Sequence, residues 1–553
     1  MKNVRTHTLC LTIVFGVCLA LGARAEDQFR RLPVKEYRDK MKAGWIGQII
    51  GVSWGAPTEG RYSTIMPAEK MPTFQEDLIN HAFGQDDLYV EMTFLRSMEQ
   101  HGWDVSIRQA GIDFANSKYA LWVANDAGRR NLRNGIAPPD SSHPRFHNCP
   151  GAIDYQIESD YAGLICPGMP DMVIALGEKF GRLMNCGDGV YAGQFMGAMY
   201  AEAFFEKDIA RLIEAGLKAI PRECMYAEMV RDMVQWHKEN PDHWEKAWEL
   251  AERKYNKDPN YNISALDVKR VGAWVLMGLL YGKGDLDQTM IISCRCGFDS
   301  DCNPSSSGGI LFTTRGTTSI PDKYYKKLNS KELFSYTAYT FPDLIDVCEK
   351  LARQAVVKSG GRIEKDAASE EIFVIPVRQP TPSKFEDLKN PGPIANSLFT
   401  DEEMVQIENP GLKWALPKRL AAWKAEAVQD GSYRWEYRGQ KDVFELRPPS
   451  PNAPWKLTRK LDVPAGKKTS LSLWAGLVNA KAEWELSVSV ERTIQARKSI
   501  SANSVTKGWA EVVVDLESFA GRSVTLEVSG QAKDKDAKQT PACMVADMTI
   551  RTN

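Results

Sequence analysis

The sequence predicts a multidomain chain in which an all-helical region is followed by an all-β sandwich or jelly roll. From about Val34 to Arg353, apolar residues recur three and four positions apart and β-branched alternation is scarce, the pattern of helices laid on a core. Beyond residue 420 the period falls to two. Trp484, Leu486, Val488 and Val490 alternate with other residues, as do Val524, Leu526 and Val528, between runs punctuated by Gly and Pro. A chain of 553 residues has ample length for more than one core.

The first element is a leader. Lys2 and Arg5 precede an apolar run from Leu9 to Leu21 and then Ala23-Arg24-Ala25, the order of a signal peptide with an A-x-A cleavage site. Residues 1–25 are expected to be removed and the mature protein to be secreted or periplasmic. The run is short for a membrane span, and no second apolar stretch of about eighteen residues follows, so no membrane span is expected. Phe15-Gly16-Val17 ahead of Cys18 is a poor match to lipid attachment.

Helices follow over residues 26–375. Asp208 to Ala219, Cys224 to Lys238 and Asp343 to Val357 read as amphipathic, the last with Pro342 near its start. After Lys358-Ser359-Gly360-Gly361 the texture changes. Residues 376–420 hold Pro376, Pro380, Pro382, Pro391, Pro393, Pro410 and Pro417 without a sustained period, which predicts a connecting segment. Residues 421–553 then form the β-sandwich, read as an ancillary domain. Its Trp435, Trp455, Trp474, Trp484 and Trp509 can stack on sugars, although core packing is the commoner fate of such residues.

Composition narrows the partners. With 70 Lys+Arg against 71 Asp+Glu the formal net charge is −1, and no basic run is interleaved with aromatics. Nucleic acid is therefore not expected as a ligand. Nine of the 11 cysteines lie beyond residue 25, too sparse and irregular for a disulfide framework, and most are expected to be buried thiols.

Chemistry can sit in three segments. In Gly44 to Glu59, Gly47, Gly51 and Gly55 fall on one helical face. Each glycine costs about 1 kcal/mol against alanine inside a helix, so close approach of another helix is expected there. Pro57 should end that helix and leave Glu59 in the following loop, as a solvated acid or as one that meets substrate. Gly84-Gln85-Asp86-Asp87 opens a helical run, where adjacent acids are caps unless something else gathers them. Gly297-Phe298-Asp299-Ser300-Asp301-Cys302-Asn303-Pro304 places oxygen donors at alternate positions. That suits a hard cation such as Mg²⁺ or Ca²⁺, or an Asx-turn entering a helix; Pro304 and Ile310 exclude an EF-hand. Four carboxylates at two helix starts can meet on one cation if those helix ends meet.

Taken in order, the three segments resemble the ADP-ribosylglycohydrolase family, whose pattern runs G-x-x-x-G-D-x-x-G-x-x-x-E, then T-D-D-T, then G-G-D-T-D-T-N. The resemblance covers roughly residues 36–330 and extends to Gly316 and Ile320-Pro321. It implies an all-α orthogonal helical bundle and a hydrolase of an N- or O-glycosidic bond, with one or two Mg²⁺ held by carboxylates, Ca²⁺ or Mn²⁺ being alternatives. Residue by residue, it implies Asp86, Asp87, Asp299 and Asp301 as metal ligands and Glu59 as the acid beside the reacting sugar. The sequence departs from the pattern at Val52, Gln85, Leu88 and Cys302. The amide oxygen of Gln85 can still serve a hard ion; Leu88 offers nothing, and the sulfur of Cys302 is a poor donor to Mg²⁺.

The segment Asp154 to Gly163 stands where the family has a glycine- and serine-rich loop. Here it is acidic, which repels a diphosphate and suits the hydroxyls of an uncharged sugar. Glu158 and Asp160, with Asn185 and Asp188 nearby, are the expected substrate-binding residues. The leading expectation is a secreted metal-dependent glycosidase acting on a ribosyl-like, furanosyl sugar of a carbohydrate or glycoside. The alternatives are a hydrolase that removes ADP-ribose from protein side chains, and a non-catalytic metal- or glycan-binding protein.

Overall fold

The computed structural model describes residues 28–256, 266–450, 452–479, 481–533 and 542–553. The expected signal peptide, Met1–Ala25, lies outside the described residues. The chain forms two compact units. One comprises the described residues up to Arg129 and Pro138–Ser397; the other comprises Arg130–Ala137 and Leu398–Asn553.

The first unit is helical, and its central helices are those whose sequence is small or apolar all round. In Asp188–Ala203, Val268–Tyr281 and Cys302–Thr313, as in the C-terminal half of Val34–Gly55, nearly every residue is buried. A helix without a polar face is stable only inside a bundle. The amphipathic helices surround these as Ile209–Lys218, Met225–Glu239 and Phe341–Lys358, each with a side-chain cap. Asp208 and Cys224 accept from backbone amides of the first turn, and Thr340 with Asp343 forms a reciprocal capping box.

The helical unit also carries a small antiparallel sheet in which Glu371–Pro376 lies between Phe29–Pro33 and Arg362–Lys365. The segment expected to connect the domains is divided at Ser397. Its first part is pinned to the helical unit: the Tyr191 hydroxyl donates to Lys384 O at 2.7 Å, and Arg182 pairs with Glu386 at 2.5 Å. Its second part supplies the short helices Asp401–Met404 and Leu412–Arg419 to the other unit.

The second unit holds two five-stranded antiparallel sheets forming a sandwich. One has the order Thr493–Ile500, Trp484–Val490, Ser523–Ala532, Trp455–Asp462, Lys424–Glu426; the other runs Trp509–Asp515, Thr469–Leu477, Cys543–Thr552, Gln440–Arg447, Asp430–Tyr437. The alternation read from the sequence is what buries one face of each strand: Trp484, Leu486, Val488 and Val490 enter one core with Val524, Leu526 and Val528. Trp455, Trp484 and Trp509 are buried, and Trp435 and Trp474 are partly so. Among the described residues no helix is long and apolar enough to cross a membrane.

Candidate active site and metal centre

The site begins with glycines. A Cβ on Gly47 would stand 2.6 Å from Gly308 O, and one on Gly51 or Gly55 would overlap the backbone of Pro304 or Ser300, so the Val34–Gly55 helix lies directly on the Cys302–Thr313 helix. The end of one helix is thereby placed on the start of the other. Ala56-Pro57-Thr58 tightens into a 3₁₀ turn, and Glu59 follows in extended backbone. Two loops are then tied together: Gly60 N donates to Phe298 O at 2.9 Å, Phe298 N donates to Tyr62 O at 2.7 Å, and the Thr58 and Ser300 hydroxyls are bonded at 2.9 Å. Glu59 is thus held beside Asp299 and Asp301.

The third contribution is the start of Asp86–His101. Its N-cap residue Gln85 makes no side-chain capping bond, and the first-turn acids Asp86 and Asp87 lie near Cys302 of the third segment. The Cys302 thiol donates to Asp87 Oδ2 at 3.0 Å. Two ligand groups result, Asp86-Asp87-Cys302 and Asp299-Asp301-Cys302, each with candidate ligand atoms within 4.8 Å of one another. Cys302, where the family pattern has threonine, therefore joins the two pairs of aspartates.

Electrostatics shows how closely the carboxylates stand. Burial pushes Asp87 well above the usual carboxylate range, and the charges of Asp86 and Asp301 push it further. Asp299 is raised by burial and then by Asp87, Asp301 by burial and then by Asp299 and Glu59. Asp86 is raised by burial, and Glu59 by burial and then by Asp86. Asp87 Oδ1, Asp299 Oδ2 and Asp301 Oδ1 are buried and accept no hydrogen bond. Unpaired buried carboxylate oxygens are costly unless a proton or cation meets them. A hard cation fits this donor set.

Glu59, Gln85, Asp86, Asp299 and Cys302 line one cavity of about 170 Å³. Asp87 and Asp301 are fully buried, and Leu88 and Val52 are core residues. The expected substrate-binding residues separate. Glu158 is buried, accepts from Asn125 Nδ2 and leaves Oε2 without a partner. Asp160 accepts from the Tyr200 hydroxyl at 2.8 Å and leaves Oδ1 without a partner. Neither of them lines the cavity, whereas Asp154, Asn125 and Ile157 of the same region do. Asn185 and Asp188 are engaged in structure instead. Asn185 accepts from Tyr155 N and donates to Pro150 O and Ala152 O, and Asp188 accepts from Tyr226 N at 2.9 Å.

Three residues escaped the sequence reading. Tyr89 and Trp122 line the cavity. Glu91, fully buried, accepts from Tyr161 N at 2.8 Å and leaves Oε1 unpartnered; burial and then the charge of Asp160 push it well above its usual range. Its position four residues after Asp87, on the same helical face, is a signal the sequence does contain.

The family model described as ADP-ribosylglycohydrolase matches residues 33–359, a span that holds all three segments of the site. The chain belongs to the ADP-ribosylglycohydrolase family. That family is named for hydrolysis of a glycosyl bond and is typically metal-dependent, in accord with the acidic cluster. A solved chain entitled ADP-ribosylglycohydrolase-related protein complex is 15% identical, with 58% of this chain and 99% of that one covered and a TM-score of 0.41. Two others cover smaller shares. A cyclase from Fischerella sp. TAU is 10% identical over 24% of this chain and 84% of its own, with a TM-score of 0.18. TmCBM61 in complex with β-1,4-galactotriose is 11% identical over 26% of this chain and 87% of its own, with a TM-score of 0.15. A comparison with curated protein sequences returned no match.

Proposed function

We propose that the protein is an exported, metal-dependent glycoside hydrolase that cleaves the O- or N-glycosidic bond of an uncharged, furanosyl-like sugar. The observation that carries this reading is the convergence of Glu59, Asp86, Asp87, Asp299 and Asp301, with buried carboxylate oxygens that accept no hydrogen bond. Asp86, Asp87, Asp299 and Asp301 would hold one or two divalent cations, Mg²⁺ fitting the oxygen donors best. A cation held by these residues would supply Lewis acidity at the reacting sugar.

The chain's own residues do the rest. Glu59, exposed at the cavity edge and raised above the ordinary carboxylate range, accepts the proton of the water that attacks the anomeric carbon; the bond from that carbon to the glycosidic oxygen or nitrogen breaks, and the leaving atom takes up a proton from solvent. Cys302, a thiol kept protonated by burial and then by the charges of Asp299 and Asp301, fixes the orientation of Asp87 through its hydrogen bond. Glu59 and Asp154, the cavity-facing carboxyl groups outside the cation's ligands, bond sugar hydroxyls, and among the described residues no Lys, Arg or His lines the cavity to meet a diphosphate. Export rests on the leader read in residues 1–25.

The test is turnover of nitrophenyl pentofuranosides, nitrophenyl hexosides and ADP-ribosyl peptides, with and without EDTA, beside the double variant Asp299→Ala/Asp301→Ala. Chelator-sensitive release of nitrophenol, abolished in the variant, is the expected result. Release of ADP-ribose with no turnover of any pentofuranoside would overturn the choice of substrate.

A further inference from the structure

We infer that Trp122 and Tyr336 form a stacking rim for a second sugar ring, so that the substrate is an uncharged oligosaccharide or glycan chain, not a lone sugar or an ADP-ribosyl group. The inference rests on the glycosidase reading above and names the part of the substrate beyond the bond that is cut.

A cavity of about 170 Å³ is small beside ordinary ligand pockets of roughly 300–1,000 Å³, so only the reacting part of a substrate fits within it. What remains must lie across the mouth. Trp122, which lines the cavity, is 56% exposed, and Tyr336, which is 67% exposed, adjoins the lining through the ring of Tyr89. Tyr89 lies with both. It lines the cavity, its ring meets that of Tyr336 at 5.8 Å and 79°, and its hydroxyl donates to Ala120 O at 3.2 Å, two residues before Trp122.

Nothing in folding favours leaving an indole in water, and left-handed backbone occurs beside it and at Tyr336. Val123, directly after Trp122, has φ +37°, and Tyr336 itself has φ +61°. Left-handed backbone is uncommon for any residue with a Cβ and exceptional for β-branched or bulky ones; strain of this kind is kept where it positions a group for use. The loop before Trp122 is tied to its surroundings as well. The Arg129 guanidinium donates to Ser117 O at 3.2 Å and to Tyr119 O at 2.8 Å, and the Tyr119 ring packs against Tyr89 and Tyr336.

The chemistry of the walls selects the ligand. Glu59, Asp86, Asp154 and Asp299 line the cavity, and among the described residues no Lys, Arg or His lines it. The described side chains offer a diphosphate no basic group there, whereas a sugar ring offers hydroxyls to carboxylates at its edge and a C–H face to an indole or phenol ring.

The test uses the full chain, wild type and with Trp122→Ala, Trp122→Phe and Tyr336→Ala. Its probes are short arabino-, xylo- and galacto-oligosaccharides, the matching methyl glycosides, and ADP-ribose as a competitor. Trp122→Ala is expected to raise KM for the oligosaccharide that is cleaved about tenfold, with a several-fold smaller effect on the methyl glycoside, and Trp122→Phe to recover most of the loss. Equal effects on both substrates, or none, would overturn the rim while leaving the glycosidase reading intact. Inhibition by ADP-ribose that disappears in Trp122→Ala would also overturn it, because the indole would then be a base platform. If wild type cleaves no glycoside, the glycosidase reading fails. Calorimetric titration of the same oligosaccharides into wild type and Trp122→Ala then decides the rim on its own: binding lost in the variant supports it, and binding absent from both or equal in both overturns it.

Discussion

Removing the charge of Asp154 should change how the cation-free protein responds to pH. Asp154 lines the cavity yet is 5% exposed, and both its oxygens accept backbone hydrogen bonds, from Asn125 N at 2.8 Å and Ala124 N at 3.2 Å. Burial raises its pKa from 3.8 to about 7, with the backbone amides offsetting part of the rise. The folded state therefore binds this proton more tightly than the unfolded chain does. The resulting stability is complete below about pH 4 and is lost as pH rises through about 7. A shift of about three units corresponds to about 4 kcal/mol. Urea unfolding of wild type and Asp154→Asn, followed by far-ultraviolet circular dichroism in chelator at about pH 4 and about pH 8, reads it directly. The stability of wild type relative to Asp154→Asn should fall by about 4 kcal/mol between the two conditions. Parallel profiles for the two proteins would refute the reasoning.

Three further outcomes follow from the geometry. Glu59→Gln should lower kcat by about 10²- to 10⁴-fold with little change in the unfolding midpoint, because the residue is an exposed acid at the cavity edge; a loss below about threefold would remove it from the reaction. Gly51→Ala drives a methyl group into the Pro304 backbone. It should destabilise the helical unit by about 1–3 kcal/mol or more and weaken cation binding, and a variant with unchanged melting would contradict the close packing. Cys302→Thr supplies a hydroxyl where the thiol joins the two ligand groups, so Mg²⁺ should bind more tightly by calorimetry; unchanged affinity would show that Cys302 serves only to orient Asp87.

Much of this arrangement was legible in the sequence because it is encoded locally. Gly47, Gly51 and Gly55 announce a helix contact by their cost, and the structure supplies the partner at Gly308, Pro304 and Ser300. Alternation over Trp484 to Val490 gives a strand wherever it occurs. The small sheet was not legible, since its strands are short and Phe29–Pro33 meets its partner Glu371–Pro376 only across the whole helical unit. The acidic segment after Asp154 shows the same limit at finer scale. Its composition points to the site, but which carboxylate faces the cavity depends on how one turn of helix is rotated, and Asp154 faces it while Glu158 and Asp160 turn inward to Asn125 and Tyr200. Asn185 and Asp188 were drawn to the site by proximity in sequence, whereas their polar atoms are used to hold Pro150, Ala152, Tyr155 and Tyr226. Trp122 carried no periodic signal, because its importance lies in being exposed.

Hydrolysis is proposed to depend on a cation held by the aspartate pairs. The most direct test is calorimetric titration of chelator-stripped wild type and Asp301→Asn with Mg²⁺, with turnover of the cleaved glycoside measured on the same samples. Saturable binding to wild type that restores turnover in proportion to occupancy, with both lost in Asp301→Asn, is the predicted result. Full turnover by stripped protein that binds no Mg²⁺ would contradict the account.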